Sequence, residues 1–320
     1  MGEGAPARPL HPPAPAPRPG RGGGRPRRTG RAGGRGRPRL KGWLYLLPAL
    51  AVYGGFAIYP ALSTLYFSFL DWDGVQLPAW AGLENYTRVV SDPLLAGAIG
   101  NGLVLIVFFS LLPIAVGLLM TGLLTGRPRR GMTFYRTVFF LPQVLPLVAV
   151  GTTWRWLYSG DGAVNEFLGA VGLGGLTRTW LGDYDFALVA LGLIGTWCMS
   201  GLCMVLFMSG AQKIDPALHE AAALDGAGRL RRFLSVTLPG LRREISIAGV
   251  ITTIAALASF DLVFVTTNGG PAGQTNVPAL LVYRLAFNEG DIGAASALAV
   301  VLTLLVIALV SLIRLLAREK

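Results

Sequence analysis

Residues able to do chemistry are few in this chain, and they concentrate in two places. One is "EAAALDGAGRLRRFLSVTLPG" (220–240), where Glu220 precedes Ala221, Ala222 and Ala223, and Gly226 interrupts the run ahead of three arginines. The other is Asp261 in "ASFDLVF", an acid within an apolar stretch. An ionisable group placed in hydrocarbon costs roughly 2.5–3.5 kcal/mol and therefore turns toward a protein interior. Asp261 suits a hydrogen-bond acceptor for solute hydroxyls, or equally a helix–helix contact near the outer boundary. Gln143, between Pro142 and Pro146, could line a polar path or satisfy backbone groups that the prolines free. The apolar stretches hold no paired acids and no nucleophile with a base, so no catalytic residue is assigned and the chain reads as a non-enzyme. With only His11 and His219, and no Cys/His/Asp/Glu cluster at ligand spacing, neither a metal nor a cofactor is expected. Cys198 and Cys203 share one apolar run and read as small packing residues. A phosphate-binding loop ends in lysine followed by Ser or Thr. Lys41, Lys213 and Lys320 are the only lysines and none is so followed, so any ATP chemistry belongs to a separate polypeptide.

The elements that carry these residues belong in a lipid bilayer. Of 320 residues, 52% are hydrophobic and only 14% charged, with mean hydropathy +0.55. That is too apolar for one water-soluble core. A spanning helix needs ~20 mainly apolar residues, because every amide in hydrocarbon must be satisfied internally. Six stretches qualify, 43–69, 103–124, 133–157, 186–210, 245–267 and 292–316, giving an all-α integral membrane protein with six spans. The third should kink at its prolines. Cytoplasmic segments retain Lys and Arg. With both termini cytoplasmic, all but Arg88, Arg155, Arg178 and Arg284 of the 28 basic residues fall inside. Trp72, Trp154 and Trp156 then sit at the outer interface, where Arg155 can snorkel. The +11 net charge concentrates in 1–41, a Pro-, Gly- and Arg-rich tail read as disordered, either a solvated extension or a tether to anionic lipid. Residues 42–320 form the membrane domain, with 211–244 as a cytoplasmic loop. No nucleic-acid partner is expected.

Within that loop, Asp215 suits an N-cap and Pro216 the first helical turn. Helix formers follow to Leu224, and Asp225-Gly226 stops them with a left-handed cap. A second short helix carries Arg229, Arg231 and Arg232. Small residues at 221–223 permit close approach by another surface, which describes a docking peg. A helical loop lying on the membrane surface would have the same composition.

Spacing separates the two readings. Glu220-Ala221-Ala222, then Gly226, Val236 and Leu238-Pro239, resembles the EAA loop of ABC-importer permeases. "GLENY" (82–86), "FYRTVFFLPQVLP" (134–146), "TNGGPAGQT" (267–275) and "YRLAFNEGDIGAASAL" (283–298) extend the resemblance to the carbohydrate-uptake branch, in its MalF-type form. The resemblance implies the type I ABC-importer permease fold in a bacterial-type cytoplasmic membrane. It implies a second, MalG-type permease subunit, an ABC ATPase dimer receiving the loop as a coupling helix, and an extracytoplasmic solute-binding protein. Glu220, Ala221, Ala222, Gly226, Leu238 and Pro239 would be the coupling residues. The solute would be a sugar or oligosaccharide, or a glycerol-phosphate-like compound. Its path would involve Trp197, Ser200 and Gly201 on one span and Ser259, Phe260 and Asp261 on the next. An ion-coupled secondary transporter is the alternative mechanism, though it would normally bring inverted repeats, and none is visible.

Overall fold

The computed structural model describes residues 39–124 and 131–317. The expectations for the tail before residue 39 and for most of the 126–133 turn lie outside them. Residues up to Val52 form one unit and residues from Tyr53 a second. The described part of the first is in helix α1 (Arg39–Tyr53), which begins inside the stretch expected to be tail. Helical structure continues through a π turn, Gly54–Ile58, into α2 (Tyr59–Phe67).

The second unit follows with a two-residue hairpin, β1 (Leu70–Asp71) antiparallel to β2 (Ala79–Trp80). Next come α3 (Glu84–Ser91), α4 (Pro93–Leu124), α5 (Met132–Val144), α6 (Leu147–Leu157), α7 (Ala163–Ala170) and α8 (Ala187–Ala211). The quoted loop forms α9 (Pro216–Leu224) and α10 (229–240). The chain closes with α11 (Arg242–Leu257), α12 (Asp261–Thr266), α13 (Pro278–Tyr283, continued as a π turn to Glu289) and α14 (Ile292–Ala317).

Four helical stretches among the described residues are long and apolar enough to cross a membrane: Tyr45–Phe67, Pro93–Leu124, Ala187–Ala211 and Ile292–Ala317. A fifth forms if α5 and α6 are counted as one span bent by 99°. Proline causes the bend. Leu145 is extended at φ −73°, ψ 139°, as a residue before proline prefers, and Pro146 has no N–H to continue the ladder. The segment expected at 245–267 is also interrupted, ending as α11 at Leu257 and restarting as α12 at Asp261. Asp261 is therefore the first residue of a short helix rather than the middle of a long one.

Helix α8 is the most enclosed, with Leu191, Ile194 and Phe207 fully buried. The last half of α4 lies along it, α5 crosses it, and α11 packs on both α4 and α8. Such proximity depends on small residues, which let backbones approach where lipid supplies no hydrophobic drive. A Cβ on Gly117 of α4 would stand 2.7 Å from that of Cys203 on α8. Cys198 and Cys203 are free and buried in this packing.

Three of the quoted motifs brace the connections between helices. Asn85 of "GLENY" is buried, and its Nδ2 donates to the carbonyls of Ser68 (3.1 Å) and Leu70 (2.8 Å). Arg88 of α3 pairs with Asp291 at the start of α14. In the "TNGGPAGQT" loop the carbonyls of Gln274 and Asn276 each accept from Asn101 Nδ2 of α4 at 2.9 Å. Arg284 donates to the Asn268 carbonyl and, at 3.2 Å, to Asn276 Oδ1.

Candidate functional site: the exposed loop and the helix break

Local chemistry builds α9 as expected. Asp215 Oδ1 accepts from the Ala217 amide at 2.9 Å, satisfying an otherwise orphaned donor. At the far end the Gly226 amide bonds the Ala223 carbonyl (3.1 Å) and the Ala227 amide reaches the Ala222 carbonyl (2.9 Å). That pair of bonds is a Schellman cap, which needs the left-handed backbone that Gly226 adopts at φ +76°. Open space surrounds the position of a Cβ at Gly226, so the backbone, not crowding, requires glycine there.

Among the described residues the finger presents an unpartnered surface. Glu220, Ala221 and Ala223 are exposed while Ala222 is half-buried, and Leu224 is 90% and Leu230 72% exposed.

Its base, by contrast, is pinned. Leu241 is fully buried, and a Cβ on Gly210 would lie 2.7 Å from Leu241 and from Glu244. A Cβ on Gly240 would come equally close to Ile214, and Lys213 pairs with Glu244 at 3.4 Å. The Phe233 ring covers Gly122, near the end of α4, leaving a Cβ there 3.2 Å from the ring. A π turn, Phe233–Thr237, widens α10 just before Pro239, whose missing N–H would interrupt a regular ladder. Thr237 is buried, Leu238 half-buried and Pro239 exposed, so of the motif's closing pair only Leu238 packs inward. Sequence reasoning missed Gly122, Gly210, Ile214, Phe233 and Gly240. Glycines beside the ends of apolar runs were the available signal.

Both helices leaving this base carry the expected pathway residues. From Arg242, α11 runs ~24 Å before it breaks, at ~1.5 Å per residue. In the break Ser259 is buried and bonds the Ala256 carbonyl at 2.7 Å. Phe260 stacks on Phe264 at 5.2 Å, and Asp261 is exposed, with no hydrogen-bond or ion-pair partner among the described residues. On α8, Trp197 is 41% exposed and stands edge-on to Trp154 at 5.6 Å. Ser200 bonds the Thr196 carbonyl of its own helix at 2.5 Å. Gly201 is buried where the α5 backbone at Phe139 and Phe140 crosses, so it serves a helix crossing. One buried cluster gathers Cys198 and Met199 of α8, Ala256 of α11, and Leu262 and Val263 of α12, with Phe260 packed against it. Chain neighbours of both sets thus share one core, and of the candidates themselves Phe260 packs on it. Gln143 is half-buried, and its Oε1 is buried with no partner among the described residues.

The fold recurs in solved structures. A chain from the crystal structure of a bacterial ABC transporter involved in the import of the acidic polysaccharide alginate aligns with TM-score 0.76 and 21% identity, over 87% of this chain and 95% of that one. The architecture is that of a type I ABC-importer permease. Residues 114–320 match the binding-protein-dependent transport system inner membrane components, and the chain belongs to that family. YurN of Bacillus subtilis (strain 168), a probable ABC transporter permease protein, is 32% identical over 270 residues, covering 83% of this chain and 92% of its own length. LacF of Rhizobium radiobacter, a lactose transport system permease protein, is 33% identical over 250 residues, covering 78% and 84% respectively. The chain is thus a multi-pass transport subunit of the cytoplasmic membrane and not an enzyme.

Proposed function

We propose that this chain is the MalF-type permease subunit of an ATP-driven importer for sugars or oligosaccharides. It would work with a MalG-type permease, an ABC ATPase dimer and an extracytoplasmic binding protein, with six spans and both termini cytoplasmic. The observation that carries the reading is a finger of exposed Glu220, small residues and leucines, set on a base locked to α4, α8 and α11. A rigid base transmits force, whereas a hinged one would absorb it. When the ATPases close, the finger moves with them, and α8 and α11 turn as a pair, carrying Trp197 and the Ser259–Asp261 break. This is rigid-body alternating access. Glu220, Ala221, Ala222, Gly226, Leu238 and Pro239 seat the finger or shape it. Trp197 offers a ring edge and face to a sugar, and Asp261 an acceptor for its hydroxyls. Ser200, Gly201, Ser259 and Phe260 hold these two in place, with Gln143 beside the bend. A lactose permease relative favours sugars over glycerol-phosphate-like solutes, and membership of a binding-protein-dependent family disfavours an ion-coupled mechanism.

The test is uptake by proteoliposomes holding both permeases and the ATPases, with the binding protein outside. Uptake should require internal ATP and vanish in Glu220→Lys. Solute import by this chain without the ATPase would overturn the reading.

A further inference from the structure

A groove between α4, α11 and α14 takes no part in the coupling described above. It is a cavity of about 500 Å³, walled by Ile106, Ile114, Leu309 and Ile313, with Ser110 and Thr253 at one end and Arg242 at the other. That volume falls in the ~300–1,000 Å³ range of small-molecule sites. At its deep end the polar groups are engaged mainly with one another, Thr252 Oγ1 donating to Ser110 Oγ at 2.7 Å and Thr253 Oγ1 approaching the same oxygen at 3.5 Å. Apart from Ser246 and Arg242 toward the other end, the remaining lining is aliphatic, which suits an acyl chain better than a sugar. From Arg242 to Thr253 the helix rises ~16 Å, at ~1.5 Å per residue, about half of a ~30 Å hydrocarbon core. The groove thus matches one leaflet in depth. At its mouth Arg242 is exposed, has no ion-pair partner among the described residues and is followed by exposed Arg243.

We propose that the groove holds an acyl chain of an acidic phospholipid from the leaflet on the side of the 211–244 loop, with its phosphate on Arg242. A planar guanidinium binds phosphate oxygens through two parallel hydrogen bonds, and the quaternary ammonium of a zwitterionic choline headgroup offsets the phosphate charge and repels the arginine. Because α11 begins at Arg242, just past the end of α10 at residue 240, the bound headgroup sits at the base of the finger.

Native mass spectrometry tests this on the importer assembled with its partner subunits and released from vesicles of equimolar phosphatidylglycerol and phosphatidylcholine. Wild type should retain one phosphatidylglycerol in this groove in preference to phosphatidylcholine. Arg242→Gln should cut that preference about tenfold, the loss of one charge-assisted contact. Gly249→Leu should abolish retention. Gly249 lines the groove, and its Cβ would lie an ordinary 3.6 Å from Ile313, so the added atoms fill the cavity. Arg242 is exposed, so its variant folds and keeps the test decisive if the filled groove does not. Equal retention by all three proteins would overturn the proposal. So would lipid bound to the isolated chain but absent from the assembled importer, which would make the groove a seat for the second permease.

Discussion

Gly201 of α8 lies against Phe139 of α5 so closely that a Cβ at 201 would collide with the Phe139 carbonyl oxygen. The contact involves backbone, which cannot swing aside as a flexible side chain would. Gly201, which the resemblance would put on a solute path, stands at a helix crossing just before the bend at Pro146.

Gly201→Val should therefore fail through packing, before any effect on solute. Overpacking of this kind costs about 1–3 kcal/mol, and more where backbone must move. The expected outcome is a melting transition several degrees lower in detergent and reduced membrane abundance. Unchanged melting together with altered solute preference would place Gly201 on the pathway instead.

The finger should tolerate little change in its cap. Gly226→Asp places a side chain at φ +76°, where a non-glycine residue costs roughly 1–2 kcal/mol. Gly226→Asn, which visits that region more readily, should retain more function. ATP-dependent uptake normalised to membrane abundance should fall in the order wild type, Asn, Asp, and wild-type rates for both variants would contradict the role of the cap.

At the base, geometry outweighs charge. Lys213 is 71% exposed at its side chain, so its pair with Glu244 contributes at most about 1 kcal/mol. Lys213→Met should leave melting and uptake nearly unchanged. Gly210→Leu forces a side chain into Leu241 and Glu244 and should impair both. Comparing the two variants in one thermal-shift series measures the difference.

Asp261 is exposed and unpartnered among the described residues, so Asp261→Asn should leave stability intact. If its carboxylate accepts from solute hydroxyls, maximal uptake should drop roughly tenfold, as for one charged hydrogen bond. Unchanged uptake would return Asp261 to a helix-boundary role.

The hairpin between β1 and β2 should respond to pH. Asp73 has its pKa lowered from the ordinary 3.8, first by the Gln76 amide and then by the Val75 amide. A carboxylate with a depressed folded pKa stabilises the turn above the unfolded value, and that contribution is lost as pH falls below it. Trp72 Nε1 donates to the Gln76 carbonyl of the same turn at 2.9 Å. Tryptophan emission should therefore shift below about pH 3.8 in wild type, with the Trp72 component of that shift removed by Asp73→Asn.

Sequence alone determined what depends on neighbours along the chain. Apolar run length marked the spans later seen at 45–67, 187–211 and 292–317, because hydrocarbon thickness sets the residues a helix needs. Proline chemistry located the bend between α5 and α6, and Asp215 and Gly226 delimited α9, since caps act over one turn. Tertiary structure decided what depends on elements meeting across the chain. The interruption before Asp261 has no proline to announce it. Gly122 beneath Phe233 and Gly210 against Leu241 are ordinary glycines until distant helices press on them. What a small residue such as Gly201 is pressed against depends on what occupies the space beside it, and that is fixed only when α5 crosses α8.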